Sequence, residues 1–494
     1  MKLLLLLAGF AGATGRPPAP VAAPPALPAA PLLLPTRVAA PLPLPVRTFT
    51  PAPAVTARLS NGLQVVLVEN HEVPLVNLRI AFMAGSFEDP VGHEGLAAAT
   101  AALLTQGVGA YDADAFSREL RKLGSDVSAA AGDDGMVLAA SALTRNLAPT
   151  LDLLRLAWTA PTFPQAEWEV LRGQMLDGVT QRRTDPNAIA DHVLNVVRWG
   201  AAYQGRAPTE ASIARLNPKL MKRFAKAAMV PEQAVVLVGG DITLAELVPL
   251  LEARFGALKV RGRSLDRSLT LRDPSGSTIT LVDKPGASQS VILAERTTGG
   301  PRDADYPALV LANASIGGMF TSRLNMNLRE DKGYTYGARS SVGWDLMGAY
   351  WTLQAPVQTD ATVPALKEIL IELGGPASGR PITPAELEKG RGSIVHAYPL
   401  KFEEPGWLLG QNEAVWRYNL GVSWITDYLG RIEAVTTDTA QAAWIEHIGS
   451  AGLQFVIVGD AAKFRETLKS VGLPIEERDV DGNLIPAPGP APAK

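Results

Sequence analysis

"LVENHEVPLVNLRIAF", residues 67–82, and "LVDKPGASQSVILAER", residues 281–296, decide the fold. Each is an apolar run, a short polar turn and a second apolar run, the pattern of two strands joined by a turn. They lie 214 residues apart. A second pair follows. "VVLVGGDITLAELVPLLEARFGAL" begins at Val235 and "FVIVGDAAKFRETLKSVGLP" at Phe455. Both read as a buried strand, a Gly-Asp turn and a helix, with the acid where a helix N-terminus favours it. Aligning Val238 with Val458 gives an offset of 220. Two separated matches at nearly one offset predict a duplicated chain, with domains over 55–265 and 275–480.

Between these matches the first half alternates helices and strands without a regular βαβ beat. "DADAFSRELRKLG" reads as a capped helix closed by Gly124, and "NLAPTLDLLRLAWTAP" as an amphipathic helix stopped at Pro161. "FPQAEWEVLRGQMLDGVTQRRTDP" and "DPNAIADHVLNVVRWG" are two more helices, bounded by Pro164, Pro186 and Gly200. The predicted class is α+β, each domain packing helices on a mostly antiparallel sheet. "KVRGRSLDRSLTLRDPSGS" reads as the charged link between domains.

The totals bound the function. A chain of 494 residues holds more than one domain at roughly 100–200 residues each. Its 46 basic and 49 acidic residues give no basic surface for nucleic acid. The absence of cysteine removes disulfides, thiol nucleophiles and Cys-based metal sites. At the N-terminus, Leu3 to Phe10 is an apolar run too short to span a bilayer, followed by Ala11-Gly12-Ala13, a small-x-small cleavage pattern. Residues 1–13 are expected to be a signal peptide, giving an exported, periplasmic protein that starts near Thr14 and has no membrane span. Residues 14–54 carry 13 of the 39 prolines and read as an extended Pro/Ala linker. Residues 481–494 read as a tail.

Candidate chemistry is sparse. His71, His93, His192, His396 and His447 include no pair at helical metal-ligand spacing, and no nucleophile elbow or phosphate loop is present. "GGMF" at Gly317 is a glycine pair beside a helix. The segment "GGMFTSRLNMNLREDKGYTYGARSS", 317–341, stands out. Its first part has Met319, Leu324 and Leu328 at helical spacing. After Gly333, Tyr334, Tyr336, Ala338 and Ser340 alternate like a strand. Arg329, Tyr334 and Tyr336 would meet at this corner, as donors for peptide carbonyls or an oxyanion. On composition alone the plainer reading is that Arg329 caps its helix and the tyrosines pack.

"SRLNMNLREDKGYTYG" is similar to the S-R-L-x-x-x-L-R-x-x-x-G-x-x-Y stretch of the insulinase or pitrilysin-like zinc peptidases, the inverzincins, which include the mitochondrial processing peptidase. The resemblance implies duplicated α+β domains. It assigns Arg329 and Tyr336 to substrate binding and transition-state stabilisation, and leaves Tyr334 on a position usually filled otherwise. The family's zinc helix reads like G-L-A-H-x-x-E-H, whereas this chain reads Gly95-Leu96-Ala97-Ala98-Ala99-Thr100-Ala101-Ala102. The two histidine positions fall on Ala98 and Ala102 and the general base on Ala101, expected on one helix face. The window for the third ligand, 174–180, offers only Asp177. Methyl groups cannot ligate zinc. The resemblance therefore implies the non-zinc subunit of a bacterial heterodimeric zinc endopeptidase. Such a chain is inactive alone and binds no cofactor. It supplies Arg329 and Tyr336 to an H-x-x-E-H partner acting on a peptide or unfolded protein. The alternative is a catalytically inactive structural or peptide-binding member of the same fold.

Overall fold

The computed structural model describes residues 49–200, 206–259, 276–421, 423–449 and 451–486. The expected signal peptide, nearly all of the Pro/Ala linker, most of the link between domains and the end of the tail lie outside the described residues.

The first sheet contains β1 (Val55–Arg58), β2 (Gln64–Glu69), β3 (Leu75–Phe82), β4 (Asp126–Ala131), β5 (Met136–Leu143) and β6 (Ala234–Gly240). The second contains β7 (Thr278–Asp283), β8 (Gln289–Thr298), β9 (Arg339–Asp345), β10 (Gly348–Gln358), β11 (Gln454–Gly459) and β12 (Ile475–Arg478). Their orders are β1-β2-β6-β3-β5-β4 and β12-β7-β11-β8-β10-β9. The two sheets match strand for strand apart from the outer pair: β1 runs antiparallel to β2, while β12 runs parallel to β7. In each, one central pair is parallel (β2 with β6, β7 with β11) and the next pair inward (β6 with β3, β11 with β8) is antiparallel. This is the duplicated α+β architecture expected from the repeat.

The register corrects one alignment. Leu67 and Leu78 both pair with Val238, while their counterparts Leu281 and Ile292 both pair with Ile457. Val238 therefore corresponds to Ile457, an offset of 219, and not to Val458. A one-residue slip turns a strand residue to the opposite face. Val238 and Ile457 each belong to their domain's main core, whereas Val458 packs on the other side of its sheet.

That other side is covered by an exchange. Helix Pro186–Trp199 of the first half lays Ile189, Ala190, Val193 and Leu194 on Val282, Val291, Leu293, Val456 and Val458 of the second sheet. Helix Pro405–Tyr418 of the second half lays Leu409 and Trp416 on Val66, Ala81, Val235 and Leu237 of the first. The two helices have 14 residues each and lie 219 apart. Sheets covered on both faces need apolar runs rather than alternation, as β6 and β11 show. Each exchanged helix ends in a buried arginine. Arg198 meets Glu295 at 2.9 Å and lies over the Trp199 and Tyr350 rings. Arg417 donates to the carbonyls of Phe82 and Asp134.

Candidate functional site

The alanine-rich stretch forms helix Leu96–Leu103. No residue of its own first turn caps it. Buried Asp89 does so from the preceding loop, accepting the N–H groups of Gly95 and Ala97, both at 2.8 Å. Burial pushes the Asp89 carboxyl up to about 7, against the helix N–H groups, which favour its ionised form.

Ala98 and Ala102 turn their methyls to solvent, while Ala101 is 1% exposed and faces the core. The three positions lie on one side of the helix, as their spacing implied, with Ala101 at its buried edge. Asp177 is exposed on helix Gln165–Arg182 and joins no cluster of potential ligands among the described residues. With no N, O or S donor at Ala98, Ala101 or Ala102, this helix does not fit a zinc ion.

Among the described residues one trio, Asp305, Glu446 and His447, brings its ligand atoms within 4.8 Å. Its hydrogen bonds point to a structural role. His447 Nδ1 accepts the Gly299 N–H at 3.1 Å, so Nε2 carries the proton and donates to Asp305 at 2.7 Å. The ring has no lone pair left for a cation. It ties the end of helix Thr437–His447 to the residue preceding helix Tyr306–Asn313.

The Arg/Tyr corner is built differently from its sequence pattern. Helix begins only at Arg323, leaving Met319 and Phe320 in the preceding loop. Residues Met326–Asp331 form a wide turn, in which the Lys332 N–H reaches the Asn327 carbonyl at 3.0 Å. Gly333 takes φ 65°, which L-residues other than glycine rarely adopt. The expected strand from Tyr334 starts only at Arg339. Before it, Thr335 makes a single bridge to Val357 and bonds the Pro356 carbonyl.

Side chains fix this corner from below. Arg323 clasps Glu386 with two bonds, at 2.6 and 2.7 Å. Asn327 donates to Glu368 and Glu372. Asn325 donates to the Phe320 carbonyl at 2.6 Å and accepts the Ala338 N–H at 3.1 Å, joining both ends of the turn. Buried Asn313 accepts from Ser340 and the Trp351 indole, seating β9 and β10 behind it.

The result brings Arg329 and Tyr336 together. The Arg329 guanidinium lies 5.3 Å from the Tyr336 ring centre and 4.7 Å from that of Phe320. Such contacts contribute about 0.5–1 kcal/mol at exposed sites. Among the described residues, the one ion-pair partner of Arg329 is Glu330, at 3.2 Å. Tyr336 is 87% exposed, and its hydroxyl has no hydrogen-bond partner among the described residues. Tyr334, by contrast, packs on the second core. The packing role thus falls to Tyr334, while Arg329 and Tyr336 present donors outward. The roles of Phe320 and Asp89 are not legible in the sequence. An acid several residues ahead of a helix gives a weak signal, and a ring meeting a guanidinium nine positions away gives none.

Residues 64–207 match the family model of the insulinase peptidases, family M16, and residues 215–393 that of the peptidase M16 inactive domain. An uncharacterized zinc protease of Mycobacterium leprae is 24% identical over 396 residues, spanning 78% of this chain and 87% of that protein. A crystal structure of the peptidase M16 inactive domain from Pseudomonas fluorescens has TM-score 0.76 at 24% identity, over 82% of this chain and 97% of that one. The periplasmic protease PqqL of Escherichia coli matches with TM-score 0.69 at 16% identity, over 83% of this chain but 46% of its own. The two family models, the duplicated sheets and a metal helix without ligands agree: the chain belongs to the insulinase family, peptidase family M16, as a member of its inactive-subunit type.

Proposed function

We propose that this chain is the non-zinc subunit of a two-chain zinc endopeptidase exported to the periplasm. Arg329 and Tyr336 would serve the active site of a zinc-bearing partner of the same family. The carrying observation is the contrast between two places in one chain. Where two ligands and the general base would sit there are Ala98, Ala102 and Ala101, while Tyr336 stands 87% exposed beside Arg329 with no use in its own core.

The partner's zinc would polarise the scissile carbonyl and activate water. This chain's residues would bind and orient. Arg329 offers a planar fork of N–H donors that suits peptide carbonyls, and the Tyr336 hydroxyl offers a single donor to a developing oxyanion. The match to under half of PqqL supports a partner of the same architecture, because there a comparable unit is one part of a longer chain. An exported chain also fits the apolar run from Leu3 to Phe10, and no described helix is long and apolar enough to cross a membrane.

The metal content tests the division of labour. Elemental analysis of the purified chain is expected to find no stoichiometric zinc, and the assembled complex one zinc per pair. A tightly held zinc on the isolated chain would contradict the reading.

A further inference from the structure

Phe320 belongs to the "GGMF" stretch, ahead of the helical turn and outside the Arg/Tyr spacing. We propose that Phe320 determines specificity at the Arg329/Tyr336 site, selecting peptides with an aromatic or large aliphatic side chain next to the segment that Arg329 holds. The inference rests on the peptide-binding role given to that pair.

Phe320 is 57% exposed, against the tendency of phenylalanine to be buried. A mobile loop does not account for this, because its backbone is tied down. The Phe320 carbonyl accepts from Asn325, whose own oxygen holds the Ala338 N–H. The ring is therefore presented at a fixed place. Arg329 uses its face at 4.7 Å, Tyr336 stands on the same guanidinium, and Met326 of the same turn is also exposed. The patch is an Arg donor group set between two aromatic rings.

Each part of this patch suits one part of an extended peptide. Contact with two rings holds the guanidinium in place and the Glu330 pair at 3.2 Å engages Nε, leaving the Nη N–H groups for carbonyls. An extended peptide alternates its side chains, so a carbonyl held at Arg329 places a neighbouring side chain beside the flank. That flank is the Phe320 ring. Apolar surface there is removed from water only by an apolar guest, and a polar guest gains nothing from it. The guanidinium alone would bind backbone without discrimination. The ring supplies the discrimination.

The test is fluorescence anisotropy with the purified full chain and short labelled Gly/Ser host peptides carrying one guest residue: Phe, Leu, Ser or Asp. Phe and Leu guests are expected to bind about two- to fivefold tighter than Ser, the range of one such exposed contact. Phe320→Ala should abolish this ranking and Phe320→Trp should keep it, with thermal midpoints confirming that both variants fold. Arg329→Ala should weaken every guest. A ranking that survives Phe320→Ala, or none in the wild type, overturns the inference while leaving the Arg/Tyr reading in place. Unchanged binding of all guests by Arg329→Ala overturns that reading and this inference with it.

Discussion

Tyr334 and Tyr336 stand two residues apart and meet opposite surroundings. One packs on the core and the other projects into solvent beside Arg329. The spacing from Arg329 to Tyr336 was legible because it is a local distance along the chain. What each ring touches was not, since it depends on how Gly333 turns the chain and where Asn325 ties it. Asp89 shows the same limit at a buried charge. Its carboxyl is held near 7 in the folded chain, against about 3.9 in an unfolded one. A carboxyl raised on folding makes the folded state bind the extra proton, so stability falls as pH rises from about 4 to about 7. Glu295, raised to about 7 by burial despite Arg198, and Asp345, raised to about 6 by burial beside Asp134, act in the same direction. The chain is therefore expected to be more stable at pH 5.5 than at pH 8. Asp89→Asn should reduce that difference by about 1–2 kcal/mol while the other two groups keep the remainder. Chemical denaturation at the two pH values measures it, and an unaltered difference would show that Asp89 does not titrate in this range.

At the scale of elements, the sequence carried the helices of the first half and the repeated strands of both but not their destinations. The apolar face of Pro186–Trp199 was readable from its spacing. Nothing in that face says that it packs on the second sheet rather than its own, because all the apolar patches are chemically alike. The register slip has a related cause. "VLVGG" and "VIVGD" align best at 220 by residue type, whereas hydrogen-bond pairing places them at 219, and only a sheet face distinguishes the two. The helix exchange makes each half part of the other's core. Leu409 is buried on Val66, Ala81, Val235 and Leu237, all in the first half. Leu409→Ala should destabilise the whole chain by about 2–4 kcal/mol, given its transfer and cavity costs. Calorimetry should show one unfolding transition shifted down as a unit. Two transitions, with only the second half affected, would mean that the exchanged helices do not couple the halves.

At the scale of the molecule, the duplication produced two sheets of one topology with different uses of their equivalent places. The helix of the first half that would hold metal is closed by alanines, and its outer strip is two bare methyls. The second half keeps an exposed, well-braced donor corner that its own fold does not consume. On the proposed reading, such a chain completes a site only when another chain brings the metal. The measurement that tests this most directly is kcat and KM of the assembled complex on an unstructured peptide, with Tyr336→Phe and Arg329→Ala in this subunit. Phenylalanine keeps the ring and removes only the hydroxyl. Tyr336→Phe is expected to leave folding, assembly and zinc content unchanged and to lower kcat by about 10²–10³, the usual effect of losing one oxyanion donor. Arg329→Ala is expected to raise KM as well. Wild-type kinetics from both variants, in a fully assembled and zinc-loaded complex, would contradict the assignment and leave the corner a structural feature of this chain alone.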